Sequence, residues 1–159
     1  MKYTRILLIA LVTILYSCGG DNDDGQTTSS NLAESMGING TWLSNCYESP
    51  YDPGLYIIDS FSFSGNSVTT TFWDYQDSSC TGPVSLTDSA SGSFVIGEEV
   101  TTDSGLKATE IDFNITYQGS QFTILDIIQV SENYFYLGVW GDSNIRPTEL
   151  KFDTVLTKK

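Results

Sequence analysis

The side chains with the most chemistry to offer are three cysteines, Cys18, Cys46 and Cys80, in a sequence with no histidine. Without histidine the commonest general base is missing, and with it the Ser-His-Asp and Cys-His arrangements and most zinc chemistry. Cys46 and Cys80 without a histidine make a poor zinc site. In an exported protein the same two residues would form a disulfide, closing a loop of about 34 residues. On the chain-entropy account that is worth roughly 3–4 kcal/mol. Paired carboxylates can still hydrolyse glycosides. Here, however, the acidic residues are scattered along the polar sides of alternating segments, and no catalytic dyad stands out. The expectation is a protein that is not an enzyme and holds no metal and no cofactor. Two carboxylates break the alternation. Asp59 falls in step with Ile57 and Phe61, and Asp126 with Ile124 and Ile128. A carboxylate on a buried face needs a partner or water, so each marks either a polar cavity or a shift of register.

Cys18 has a different context. Lys2 and Arg5 precede an apolar run of about eleven residues, which ends in Leu15-Tyr16-Ser17-Cys18. Spanning a bilayer takes roughly 20 residues, so the layout is that of a secretory signal peptide over residues 1–17. Its ending resembles a bacterial lipobox, which implies that Cys18 is lipidated and becomes the new N-terminus; a plain secretory signal is the rival reading. Lipidation would also resolve the odd cysteine, because it leaves Cys46 and Cys80 as a pair.

The formal charge is −13, and loss of Lys2 and Arg5 makes it two units more negative. So acidic a chain is repelled by phosphate backbones and anionic head groups. Nucleic acid is therefore excluded as a partner, and membrane attachment must come from lipid. Residues 18–36 are mostly Gly, Asp, Asn, Ser and Thr and bury too little to fold. They read as a flexible tether reaching roughly 20–25 Å. Asp21-Asn22-Asp23-Asp24-Gly25 lacks the Gly and Glu positions of a calcium-binding EF-hand. Next to Cys18, this acidic cluster resembles the sorting signal of bacterial surface lipoproteins. The expected location is the bacterial cell envelope, at the outer membrane.

The elements that must position these residues lie in 37–159. Eight short runs alternate with Gly, Asn, Asp and Ser: 41–48, 55–64, 67–76, 91–98, 108–118, 121–131, 134–140 and 149–157. Gly65-Asn66, Gly119-Ser120 and Glu132-Asn133 are hairpin-sized connections. In the fifth run Thr109, Ile111, Phe113, Ile115 and Tyr117 share one face. In the eighth, Leu150, Phe152, Thr154 and Leu156 do the same. No amphipathic helix is evident after the signal. The expected fold is all-β, an eight-stranded antiparallel meander closed into a barrel, which removes exposed edges; a two-sheet sandwich has the same signature. Such a barrel is either filled by side chains or holds one small ligand. Aromatic residues on the runs, with Phe72, Trp73, Tyr75, Tyr136 and Trp140 as candidates, could line a ligand site together with Asp59 and Asp126, or could simply be core.

Gly40-Thr41-Trp42 resembles the Gly-x-Trp opening of lipocalins, in which the Trp plugs the closed end; that implies a plug role for Trp42. The wider pattern runs from Gly40-Thr41-Trp42 to Cys46, through Phe61 and Phe63, to Phe72-Trp73-Asp74-Tyr75 and Cys80 with Pro83. Tyr136-Leu137-Gly138 and Arg146-Pro147-Thr148 complete it. This resembles the ectodomain repeat of the adenomatosis polyposis coli down-regulated family, membrane-anchored Wnt inhibitors with lipocalin-like barrels. The resemblance implies a Cys46–Cys80 bridge and a cavity able to take an acyl chain. The chain departs from the family in two ways: the strand around Asp59 looks like one that carries a basic residue in the animal proteins, and the chain has one copy rather than two. The signalling role does not follow from the fold. The expected function is a lipid-anchored protein that binds a small hydrophobic or amphipathic ligand. The alternative is a structural or interaction lipoprotein with a filled barrel and working loops at 49–54 and 142–147.

Overall fold

A two-residue turn fixes the register of the strands on both sides of it, and two such turns organise this chain. Across Gly65-Asn66, Ser64 pairs with Ser67, which joins β3 (Tyr56–Ser64) to β4 (Ser67–Tyr75). Across Gln118-Gly119, Tyr117 pairs with Ser120, which joins β6 (Lys107–Tyr117) to β7 (Ser120–Val130). Gln118 and Gly119 both have positive φ, 48° and 80°, the backbone twist that matches flanking strands. The second turn is thus one residue earlier than the expected Gly119-Ser120.

The computed structural model describes residues 29–139 and 141–159. Over them the expected all-β, eight-stranded antiparallel meander barrel is seen, closed, with almost no helix. The first stave is interrupted at residues 45–46. Its halves, β1 (Gly40–Ser44) and β2 (Tyr47–Glu48), both pair with β3. The meander continues through β4, β5 (Val84–Thr101), β6, β7, β8 (Tyr134–Leu137) and β9 (Leu156–Lys158). β9 then pairs back on β1, from Trp42↔Lys158 to Ser44↔Leu156, and closes the ring.

Several boundaries differ from expectation for physical reasons. β5 has 18 residues, not the expected 91–98. Its first half is Ser, Thr and Asp around Leu86, too polar to show a hydrophobic period. Its register shifts between Ile96 and Glu99. The eighth run keeps only Leu156–Lys158 as strand and Leu150 as an isolated bridge to Gly138, and Phe152 is exposed. Gly92 lies so close to β6 that a Cβ there would sit 1.9 Å from the Asn114 carbonyl oxygen. Only glycine allows that approach, as expected where a barrel strand bends.

The end of the expected tether is also different. Ser29–Ser35 forms a helix, α1. Its Ala33 and the following Ile38 are fully buried in one cluster with Trp42, Phe63, Val68, Phe94, Phe135 and Leu156. Leu32, Ala33, Met36 and Ile38 supply enough apolar surface to seal one end of the barrel, so the folded domain begins by residue 29.

Candidate functional site

The barrel has a packed half and a hollow half. In the packed half Trp42 is fully buried. Its Nε1 donates to the Ile38 carbonyl at 2.7 Å, and its ring lies 5.5 Å from that of Phe135. Phe63 packs edge-on to Phe94 at 5.3 Å. Lys158 places its ammonium 5.0 Å above the Trp42 ring and donates to the Gly37 carbonyl. Here α1 and Trp42 together close the barrel.

In the other half, inward side chains of β3 to β7 surround a cavity of about 530 Å3. The two hairpin registers explain its wall. Pairing of Ser64 with Ser67 puts Asp59 and Phe61 on the same face as Thr70 and Phe72. Pairing of Tyr117 with Ser120 puts Phe113 and Ile115 on the same face as Phe122, Ile124 and Asp126. Ala90 of β5 stands between the two groups. β8 pairs with β7 only over Ile128–Val130. Beyond that, the wall is Gly138, Val139 and residues 141–147, anchored where the Leu125 N–H donates to the Ser143 carbonyl. Tyr51, Phe122, Val139 and Ile145 line the cavity and are also exposed, forming an apolar rim at its mouth.

Two carboxyls stand in this wall, on β3 and β7. Three staves separate these strands in either direction round the ring, so Asp59 and Asp126 occupy facing sides. Asp126 Oδ1 accepts from the Ile127 N–H at 2.7 Å and the Gly138 N–H at 2.9 Å. Burial pushes its pKa up to about 6, against the pull of those two N–H groups and of Arg146. A Cβ at Gly138 would lie 2.5 Å from Asp126 Oδ1 and 2.6 Å from Pro147, so this contact requires glycine. Asp59 Oδ2 accepts from the Tyr47 hydroxyl at 2.5 Å. Burial raises its pKa too, opposed by Tyr47 and Lys151 and reinforced by Asp74. The Tyr47 phenol is in turn pushed far up, by burial first and then by Asp59. Behind Asp59 a smaller cavity of about 180 Å3 is lined by Tyr47, Ile57, Phe72 and Lys151 among others.

Arg146 holds residues 141–147 to the barrel from outside. Its guanidinium reaches Asp112 at 2.6 Å and Glu110 at 3.2 Å and donates to the carbonyls of Asp126 and Ile111. Opposite, Cys46 and Cys80 form a disulfide with Cα atoms 5.8 Å apart, tying the break in the first stave to the loop after β4. Among the described residues no three His, Cys, Asp or Glu side chains come together so as to hold a metal ion.

Of the residues singled out from sequence, Phe72, Asp59 and Asp126 line the cavity. Trp73 and Tyr75 do not; they alternate with Phe72 and Asp74 and take the outer face of β4. Tyr136 is also outside the cavity, packed on a small external cluster of Ala108, Ile127 and Leu150 and 5.1 Å from the Phe152 ring. Cys18, the signal peptide 1–17 and Trp140 lie outside the described residues. Phe113, Phe122 and Ile124 were missed as lining residues, although continuing the alternation of β6 through its hairpin would have found them. No protein-family model matches the chain, and no curated protein matches it.

Proposed function

We propose that this chain is a bacterial envelope lipoprotein, anchored through Cys18 at the outer membrane, whose barrel binds a small hydrophobic or amphipathic ligand without transforming it. The observation that carries the reading is the cavity. Its volume of about 530 Å3 falls in the range of ligand pockets, roughly 300–1,000 Å3, and it joins apolar walls to a few polar groups in the usual way. The alternative, a structural or interaction lipoprotein, called for a barrel filled by side chains. The likeness to the adenomatosis polyposis coli down-regulated repeat supports a ligand with an acyl-like body and is itself part of the proposal.

Asp59 and Asp126 are what a catalytic reading would use. Each is held by groups of the barrel wall, and the two face each other across the cavity rather than forming a close pair. A binding role fits this placement better. The test is uptake of the neutral fluorescent probe N-phenylnaphthylamine by the full chain, compared with Ala90→Trp, which fills the cavity from β5. Wild type should bind the probe, and the variant should lose at least tenfold in affinity while keeping its β-sheet circular dichroism. Absence of uptake by wild type would hand the lead to the structural lipoprotein.

A further inference from the structure

Resting on that reading, we infer that the ligand is a cationic amphiphile, an alkyl or aryl amine whose ammonium pairs with Asp126, with Asp59 a second negative charge on the facing wall, while its apolar body lies against the Phe61, Phe113 and Ile124 wall. The formal charges among the residues lining the larger cavity are all negative: Asp59, Asp126 and, at the mouth, Asp142. No Lys or Arg is among the described residues of that lining. Arg146, the nearest guanidinium to Asp126, is committed to Glu110 and Asp112 and to two main-chain carbonyls. Lys151 lines the smaller cavity together with Asp59, and its charge acts on that carboxyl, which leaves Asp126 as the main anchor; the Lys151 ammonium lies 5.2 Å above the Tyr47 ring.

Each carboxyl also keeps one oxygen for a ligand. Asp126 Oδ1 takes both main-chain donors, and Asp59 Oδ2 takes the Tyr47 hydroxyl. Among the described residues, Asp126 Oδ2 and Asp59 Oδ1 have no donor. A carboxylate against apolar walls is costly until it is paired, so a ligand that brings a cation relieves a cost already built into the empty barrel. A fatty-acid carboxylate would add a like charge beside two others. The aromatic rings of Phe61, Phe72, Phe113 and Phe122 add a favourable surface for an ammonium. The likeness to acyl-binding barrels therefore extends to the ligand's tail and not to its head.

The experiment compares three heads on one tail. Dodecylammonium, dodecanol and dodecanoate, each below its micelle concentration, compete with N-phenylnaphthylamine for the full chain at neutral pH. Dodecylammonium should displace the probe at a concentration at least about tenfold lower than dodecanoate, a difference of about 1.4 kcal/mol, with dodecanol between them. Asp126→Asn should bring the two charged heads within about threefold of each other and leave dodecanol unchanged, and Asp59→Asn should have a smaller effect in the same direction. Glu132→Gln, on an exposed residue outside both cavities, controls for attraction by net charge and should change nothing. Dodecanoate competing as well as dodecylammonium in wild type overturns the inference, without need of any variant. So does a cation preference that survives both cavity variants, or that Glu132→Gln weakens equally. If the probe itself is not taken up, the binding proposal fails rather than the head-group assignment.

Discussion

Asp126 carries a consequence that stability measurements can read. Its carboxyl has a pKa of about 6 in the fold, against about 3.9 in an unfolded chain. The folded state therefore binds this proton more tightly, and folding takes up a proton between about pH 4 and 6. The contribution is at its most favourable below the ordinary carboxylate range and is lost as pH rises through 6. Asp59, also raised by burial, adds a term of the same sign. Asp77 has the opposite one: the Ser79 hydroxyl and three main-chain N–H groups hold its carboxyl down to about 2. Its stabilisation is present above the ordinary carboxylate range and is lost as pH falls toward 2. Between pH 4.5 and 7.5, urea unfolding should show wild type losing stability, and Asp126→Asn should remove about 2 kcal/mol of that loss. An identical pH slope in the variant would mean that Asp126 titrates as a solvated carboxyl does. The variant should also bind an amine less well, so stability at neutral pH and affinity should move in opposite directions.

At the scale of elements, strand periodicity carried the fold. The alternation of Thr109 to Tyr117 reads directly from the sequence, and the structure places Ile111, Phe113 and Ile115 inside. Three things escaped. The polar half of β5 has no hydrophobic period, because it forms the barrel wall near the mouth. The α1 residues are mostly polar, and only their packing on the finished barrel makes them a seal. Trp73 and Tyr136 are aromatic but face outward; composition cannot distinguish faces, whereas the register from Gly65-Asn66 separates Phe72 from Trp73 at once. Phe113, Phe122 and Ile124 were legible in the same way, from one turn and a period of two. The disulfide is the other cross-element constraint. It joins the first stave, where its ladder breaks, to the loop leading into β5. A Cys46→Ser/Cys80→Ser double variant should lose about 3–4 kcal/mol, read as a lower unfolding midpoint. A midpoint unchanged from wild type would show that the barrel's own ladders already hold that loop.

For the whole molecule, the hollow half and the packed half divide the work: one half supplies stability, and the other gives up packing to make room. The proposed anchoring has a separate readout. Cys18→Ser should leave the chain unprocessed or soluble when cells are fractionated, while wild type remains with the membranes. A variant that is trimmed normally and still sediments with membranes would remove the lipid from the proposal without touching the barrel.

The path of the chain into the barrel also gives the molecule a direction. Ser29–Ser35 covers the closed end, so whatever precedes it arrives at the base of the cup, opposite the apolar rim of Tyr51, Phe122 and Ile145. With the proposed anchor at Cys18, the attachment would lie on the side of the base. On the proposed reading, the ligand would then enter at the end of the barrel farther along the chain from the attachment, and the sealed base would be the end nearer to it.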